Sequence, residues 1–448
     1  TNTGSFTAIA NSKPMIFNDA TLWSSPVNGQ NLRNFSVKTL DKRFYIYNEP
    51  TNKFASLFIN DPLYPNNNLQ NPATYNFEDG LGYHIRVSND HTQTAPGAIF
   101  EGKFVGNLNN GNYARTVTKQ HLGYHLIGNP HPSSLDATKF LQANSSIKAL
   151  YFWTHQAPLT STGYASNNYA SYNLTGGTQA AAGGVIPNEI IGKGQGFIAE
   201  INAATTLKFD NTQRTDLSAI FHKNQNDSKR IWLDLFEGTQ AKNQLLIGYV
   251  QDATNAFDER MDAKLNQNYD GSAVYSLIDD SPNRFVIQGR ALPFSNDDVV
   301  KLGVDAKANA SYTIQLNNSE NITDDMTIFL YDKVEKQVVD LRKQAYTFSS
   351  QAKVMNDRFE LMFVNKTLGI SEITQQETVV LKKNNSIIIQ SSKEIKSVEV
   401  YDISGRKILS KSTSGKEITL SQLPKTNQVL VFKIITADQT IINTKIIF

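Results

Sequence analysis

Ser397-Val398-Glu399-Val400-Tyr401-Asp402-Ile403-Ser404-Gly405-Arg406-Lys407-Ile408-Leu409 is the stretch on which the reading of the chain turns. Val398 and Val400 alternate with Glu399, which is the period of a half-buried strand. Turn residues follow, and Gly405 is the one that takes a left-handed backbone without steric cost. Arg406 to Leu409 then starts a return strand. The flanking sequence repeats this pattern. Val379 to Lys382, Ser386 to Gln390, Ser397 to Ile403, Arg406 to Ser410, Glu417 to Leu420, Val429 to Ile435 and Thr440 to Ile447 predict seven short strands. Turn signals lie between them at Lys383-Asn384-Asn385, Ser404-Gly405, Ser414-Gly415 and Ala437-Asp438. Such spacing predicts a small immunoglobulin-like sandwich over residues 377–448. Leu430, Phe432 and Ile434 alternate with Val429 and Val431, so that strand is apolar on both faces and belongs in the centre.

Upstream the pattern stays β. Arg43 to Tyr47, Gly82 to Val87, Ile231 to Leu235 and Arg358 to Val364 are aromatic or β-branched runs, each bounded by turn residues. Leu135 to Asn144 and Asp258 to Asn266 are helical candidates, but neither has the length or apolar stripe of a core helix. The polar stretch around His222 to Lys229 reads as an interdomain loop. The expected organisation is therefore a β-rich surface domain (1–221), a second β-sandwich domain (222–366), a linker (367–376) and the small terminal sandwich (377–448). The expected fold class is all-β: two β-sandwich-like domains followed by a seven-stranded immunoglobulin-like sandwich.

Composition narrows the function classes. With 40% hydrophobic and 19% charged residues, the chain is globular rather than disordered. A formal charge of +2 without a basic block argues against nucleic acid as a partner. There is no cysteine, so disulfides and thiolate metal sites are excluded. No apolar run is long enough to form a membrane-spanning helix. The chain opens at Thr1 without a signal-peptide pattern, which we read as the tail of something longer.

The opening stretch resembles the "V-x-V-Y-D-x-x-G-R" hairpin of type A sorting domains in the type IX secretion system of Bacteroidota. Leu420-Ser421-Gln422-Leu423-Pro424 resembles that family's "L-x-x-L-P" corner, and Lys445-Ile446-Ile447-Phe448 its short basic-apolar last strand. One departure is visible: the family usually follows the proline with Gly and Tyr, and here Lys425-Thr426-Asn427-Gln428 stands instead. Trp23 to Val27, Leu126 to Ser133, Gly194 to Ile198 and Leu292-Pro293-Phe294 are similar to segments of large flavobacterial surface and adhesin-like proteins. The resemblance implies secretion through the periplasm and outer membrane to the cell surface, with an outer-membrane translocon and its β-barrel shuttle as partners. It leaves open whether a peptidase-transferase removes the tail and attaches lipopolysaccharide. The residues it assigns to sorting are Val398, Val400, Tyr401, Asp402, Gly405, Arg406, Lys407, Leu423, Pro424, Lys445, Ile446, Ile447 and Phe448.

Other chemistry has ordinary readings beside it. His121 and His125 have helical zinc spacing, but Leu122, Tyr124 and Leu126 alternate at strand period. On a strand the two rings stand about 13 Å apart, too far for one metal. Asp252, Asp258, Glu259, Asp262 and Asp270 crowd one loop-rich region, so weak calcium binding is the one cofactor reading, beside a solvated acidic face. A glycosidase pair lacks any supporting motif. Trp23, Trp153 and Trp232 read as core. Tyr164, Tyr169 and Tyr172, in a Gly/Asn-rich stretch, are candidate glycan contacts. The glycines at 176–177, 183–184 and 192–196 precede no helix and read as turns. No nucleophile–base arrangement stands out. The expectation is thus a non-enzymatic, adhesin-like surface protein without cofactor. The alternatives are the non-catalytic tail of a secreted hydrolase or a glycan-binding module.

Overall fold

The computed structural model describes residues 4–154, 156, 168–216, 228–266, 269–323, 326–364, 378–383, 386–421, 423 and 429–447. Thr1–Val364 forms one compact unit and Asn365–Phe448 another. Strands dominate both, and the chain is all-β.

Three main cores follow one another along the larger unit. The first lies between a sheet of Phe6–Asn11, Glu101–Leu108 and Val27–Asn28 and a sheet of Ala20–Trp23, Tyr83–Arg86, Phe44–Asn48 and Lys53–Ser56. Trp23, Phe35, Phe44, Phe77 and Phe104 fill it, with Phe35 stacked on Phe104 at 4.5 Å between centroids. The second core packs the helix Ala137–Ala143 against Ile147–Trp153, Gly196–Ile201 and Thr205–Phe209. Asp136 caps this helix by accepting the Lys139 N–H at 2.9 Å. The helix falls inside the expected stretch, yet it does carry core residues: Phe140 and Leu141 are buried. Two turns suffice because strands supply the remaining walls. The other helical candidate forms turns, then Ala263–Lys264 pairs with Arg284–Arg290 as a short strand.

The third core is wrapped by an eleven-stranded sheet, all of it within residues 229–362. Its path ends at Gln337–Asp340 on one side and Tyr346–Ser350 on the other, yet Val339 and Phe348 share one core. The sheet is therefore curled until its ends meet. Tyr346 spans the gap, its hydroxyl donating at 2.8 Å to Asp332, whose side chain is wholly buried and also accepts Arg358 Nη2 at 2.7 Å from the neighbouring strand Lys353–Met362.

In the smaller unit the seven expected segments merge into five strands: Thr378–Lys383, Ser386–Tyr401, Lys407–Leu420, Val429–Thr436 and Ile441–Ile447. Irregular pairing between Gln390 and Ile395, and again between Ile395 and Ser397, bends the longest strand. Its first half pairs with Thr378–Lys383 and its second with Val429–Thr436, while Lys407–Leu420 follows it on both sides of the bend. Ile387 and Ile389 from one half share a core with Val398, Val400, Leu430, Phe432 and Ile434 from the other. The expected central strand Val429–Thr436 is flanked on both sides, and Ile441–Ile447 ends the sheet.

Candidate functional site

The hairpin 398–407 is built by its own motif residues. Val398 and Val400 point into the core and are fully buried. Asp402 then organises the turn: its Oδ1 accepts the backbone N–H of Ser404 and of Arg406, each at 3.0 Å, and its Oδ2 accepts Arg406 Nε at 3.0 Å. These donors hold the Asp402 carboxyl below its ordinary pKa, the Ser404 hydroxyl contributing most. Gly405 sits at φ 82°, the left-handed region that glycine alone adopts freely. Behind the turn, Glu399 accepts Lys407 Nζ at 2.5 Å and the Tyr401 hydroxyl at 2.8 Å. The tip is left standing in solvent, with Arg406, Lys407 and Ile403 exposed, Ile403 at 75%. Ile403 is the residue that sequence reasoning passed over. Its signal was an apolar side chain inside a turn.

The remaining sorting candidates divide by environment. Leu423 is buried in the small core. Lys445 is exposed and Ile446 half-buried on the edge strand Ile441–Ile447, which pairs with Val429–Thr436. Ile447 closes that strand, while Pro424 and Phe448 lie outside the described residues. Among the described residues the exposed candidates thus fall on two features of one small unit, a turn tip and a sheet edge.

The two described glycan candidates do not form a platform. Tyr172 is buried on the strand Tyr169–Tyr172, and its hydroxyl lies 2.9 Å from Thr138 Oγ1, so it presents no face to a sugar. Tyr169 is half-buried, packed edge-on against Trp153 at 5.0 Å. It lines a narrow crevice with Tyr151, Gln179, Gln244 and Tyr269. The crevice is a structural seam, since the Tyr151 hydroxyl donates to Glu200, the Tyr269 hydroxyl to the Lys242 carbonyl and Gln244 to Asp234. Tyr164 lies outside the described residues. Trp23 and Trp232 are buried core residues, and the Trp153 indole donates to the Ala20 carbonyl.

His121 and His125 do not share a ligand geometry. His125 is on the strand Tyr124–Gly128 with Nε2 2.7 Å from the Thr118 carbonyl, and His121 is exposed. Their loop instead serves Glu49, a buried carboxylate missed in the sequence. It accepts the backbone N–H groups of Gln120, His121 and Gly123 at 2.7–2.9 Å. Burial pushes this carboxyl up, but the three N–H groups outweigh it and its pKa lies below the usual value.

Asp258, Glu259 and Asp262 are likewise engaged with protein donors. Asp258 accepts the Thr254 N–H, and Glu259 accepts Asn202 Nδ2 at 2.9 Å. Asp262 is buried and accepts the N–H of Asp258 at 2.7 Å and of Gly289 at 2.8 Å. Among the described residues no three carboxylates or histidines converge on one point.

Three of the segments for which surface-protein likeness was expected, at 23–27, 126–133 and 194–198, come together. Ser24 donates its N–H to the Gly194 carbonyl and Asn129 its N–H to Gln195, both on backbone oxygens. A Cβ on Gly128 would lie 2.2 Å from the Ser24 Cβ, so the contact requires glycine. Asn129 and His131 are fully buried here. These motifs are a packed junction, not a ligand surface. No curated protein matches the chain. Residues 368–448 match a second family, a domain of unknown function (DUF8694). Residues 1–363 match the domain of unknown function DUF8693, and the chain belongs to that family.

Proposed function

We propose that this chain is a secreted, adhesin-like surface protein, with Asn365–Phe448 as the signal that a type IX translocon recognises during export across the outer membrane. The supporting observation is that this segment is a compact unit with its own core, while its motif tip and last strand face solvent. An edge strand offers backbone N–H and C=O groups that a receptor strand can pair, and a basic tip adds charge beside it. In this reading the translocon's β-barrel shuttle engages Arg406, Lys407 and the strand ending in Lys445 and Ile446. The chain acts by display, not catalysis. Deleting residues 445–448 in a host with type IX secretion is the test. The truncated protein is expected in the periplasm, and normal surface delivery defeats the proposal.

A further inference from the structure

The chain holds two Asn-Gly pairs, Asn28-Gly29 and Asn110-Gly111, both in the larger unit. In such a pair the glycine nitrogen can attack the side-chain amide carbon before it, because the glycine has no Cβ to stand in the way. Both glycines are open: a Cβ built on either would meet nothing within 4 Å. Their backbones differ. Asn28 ends the strand Val27–Asn28 and pairs with Asn107 across the sheet. Asn110 is exposed and lies outside the strands, in the connection between Glu101–Leu108 and Tyr113–Val117. Among the described residues the Gly111 N–H donates to no protein acceptor, so its nitrogen is free to react.

The surroundings of Asn110 hold it and activate it. The Tyr113 hydroxyl accepts the Asn110 N–H at 3.0 Å and donates to the Asn110 carbonyl at 3.4 Å. Arg214 Nη1 donates to the side-chain Oδ1 of Asn110 at 3.3 Å. The guanidinium is itself fixed, since Nε donates to Ser133 Oγ at 2.9 Å and Nη1 to Asn211 Oδ1 at 3.2 Å. Its partners are thus a hydroxyl and two amides, and among the described residues Arg214 has no carboxylate to pair with. A cation on the amide oxygen draws electrons from Cγ and stabilises the oxyanion that forms when a nucleophile adds there. Among the described residues no such donor reaches the Asn28 amide.

We propose that Asn110 is a site of spontaneous deamidation, with Arg214 as the donor that selects it over Asn28. A solvent base takes the Gly111 amide proton, the nitrogen bonds to the Asn110 Cγ, and the side-chain nitrogen takes a proton from solvent and leaves as ammonia. Water then opens the cyclic imide at either carbonyl, giving aspartate or isoaspartate. One water is consumed for each ammonia released. The new carboxylate gives Arg214 the acid it lacks, and the isoaspartate product lengthens the turn backbone by a methylene. The change adds a negative charge to the larger unit and does not rest on the export reading. The test is incubation of the full chain at mildly alkaline pH, with peptide mass spectrometry following the exchange of NH2 for OH at both pairs. Conversion at Asn110 is expected to run about tenfold faster than at Asn28, the effect of one half-exposed donor on a developing oxyanion. Arg214→Gln is expected to bring the two rates together, with Asn28 as the reference inside the same chain. In urea, where sequence alone acts, the gap in the parent is expected to shrink. Equal rates in the folded parent, faster conversion at Asn28, or a gap that persists in urea overturns the proposal. So does an Asn110 rate that Arg214→Gln leaves unchanged or raises.

Discussion

Three buried titratable side chains, Glu49, Asp262 and His131, set the behaviour of the larger unit at the scale of single residues. Glu49 is ionised because three backbone N–H groups replace water around it. Its stabilisation is present above the usual carboxylate range and is lost as pH falls through its depressed pKa. Glu49→Ala orphans all three donors, and urea unfolding at neutral pH is expected to read a loss of about 3 kcal/mol. A loss under about 1 kcal/mol would mean that water replaces the carboxylate freely. Asp262 and His131 pull in opposite directions. Burial pushes Asp262 up to about 7, so its share of stability is complete near pH 4 and disappears as pH rises to 7. Burial and the nearby Arg214 push His131 down to about 4, so its share is complete above pH 6.5 and disappears as pH falls. The two slopes oppose each other over one window. In Asp262→Asn, stability is expected to fall with acidification more steeply than in the parent. In His131→Phe it falls less steeply. Each slope differs from the parent by up to about 1.4 kcal/mol per pH unit, and identical slopes in the two variants would contradict the assignment.

Among the elements, the hairpin 398–407 shows how a short motif encodes geometry. Gly405 at φ 82° has open space around its Cα, so Gly405→Ala costs backbone strain alone, about 1 kcal/mol in thermal or urea unfolding. Val400→Ala opens a cavity in a small core and is expected to cost about 2–4 kcal/mol. If the glycine variant proves the more damaging of the two, the turn rather than the core holds this unit together. The strand positions here were legible because period-two alternation is local and Val398, Val400, Leu430, Phe432 and Ile434 keep to it. The merging of seven segments into five strands was not. The bend at Gln390 to Ser397 is a pairing irregularity, and Ser414-Gly415, which reads as a turn, lies opposite it inside the strand Lys407–Leu420. The expectation for Tyr172 failed for a related reason. Tyr172 sits in a Gly/Asn-rich stretch that reads as loop, but Leu150 pairs with it across a sheet and buries it. Glu49 was invisible because its environment comes from residues distant in the chain, Gln120 to Gly123.

At the scale of the whole molecule, the two units have separate cores, and the proposed sorting role belongs to the smaller one. In the larger unit the curled sheet closes where Tyr346 reaches the wholly buried Asp332, and Arg358 neutralises that carboxylate from the neighbouring strand. Arg358→Ala leaves that carboxylate without its cation and is expected to cost about 3–5 kcal/mol. The double variant Arg358→Met with Asp332→Asn recovers much of this, because no buried charge is stranded. A single variant as stable as the parent would mean that the Asp332 charge does not depend on Arg358. The smaller unit has its own core and its own exposed tip and edge, and the central claim is that it acts alone as an export signal. Appending residues 365–448 to a periplasm-stable reporter in a host with type IX secretion tests that claim most directly. The account predicts reporter at the cell surface or in the medium, and in the periplasm when the translocon is deleted. Retention of the tagged reporter in the periplasm of the competent host would contradict it.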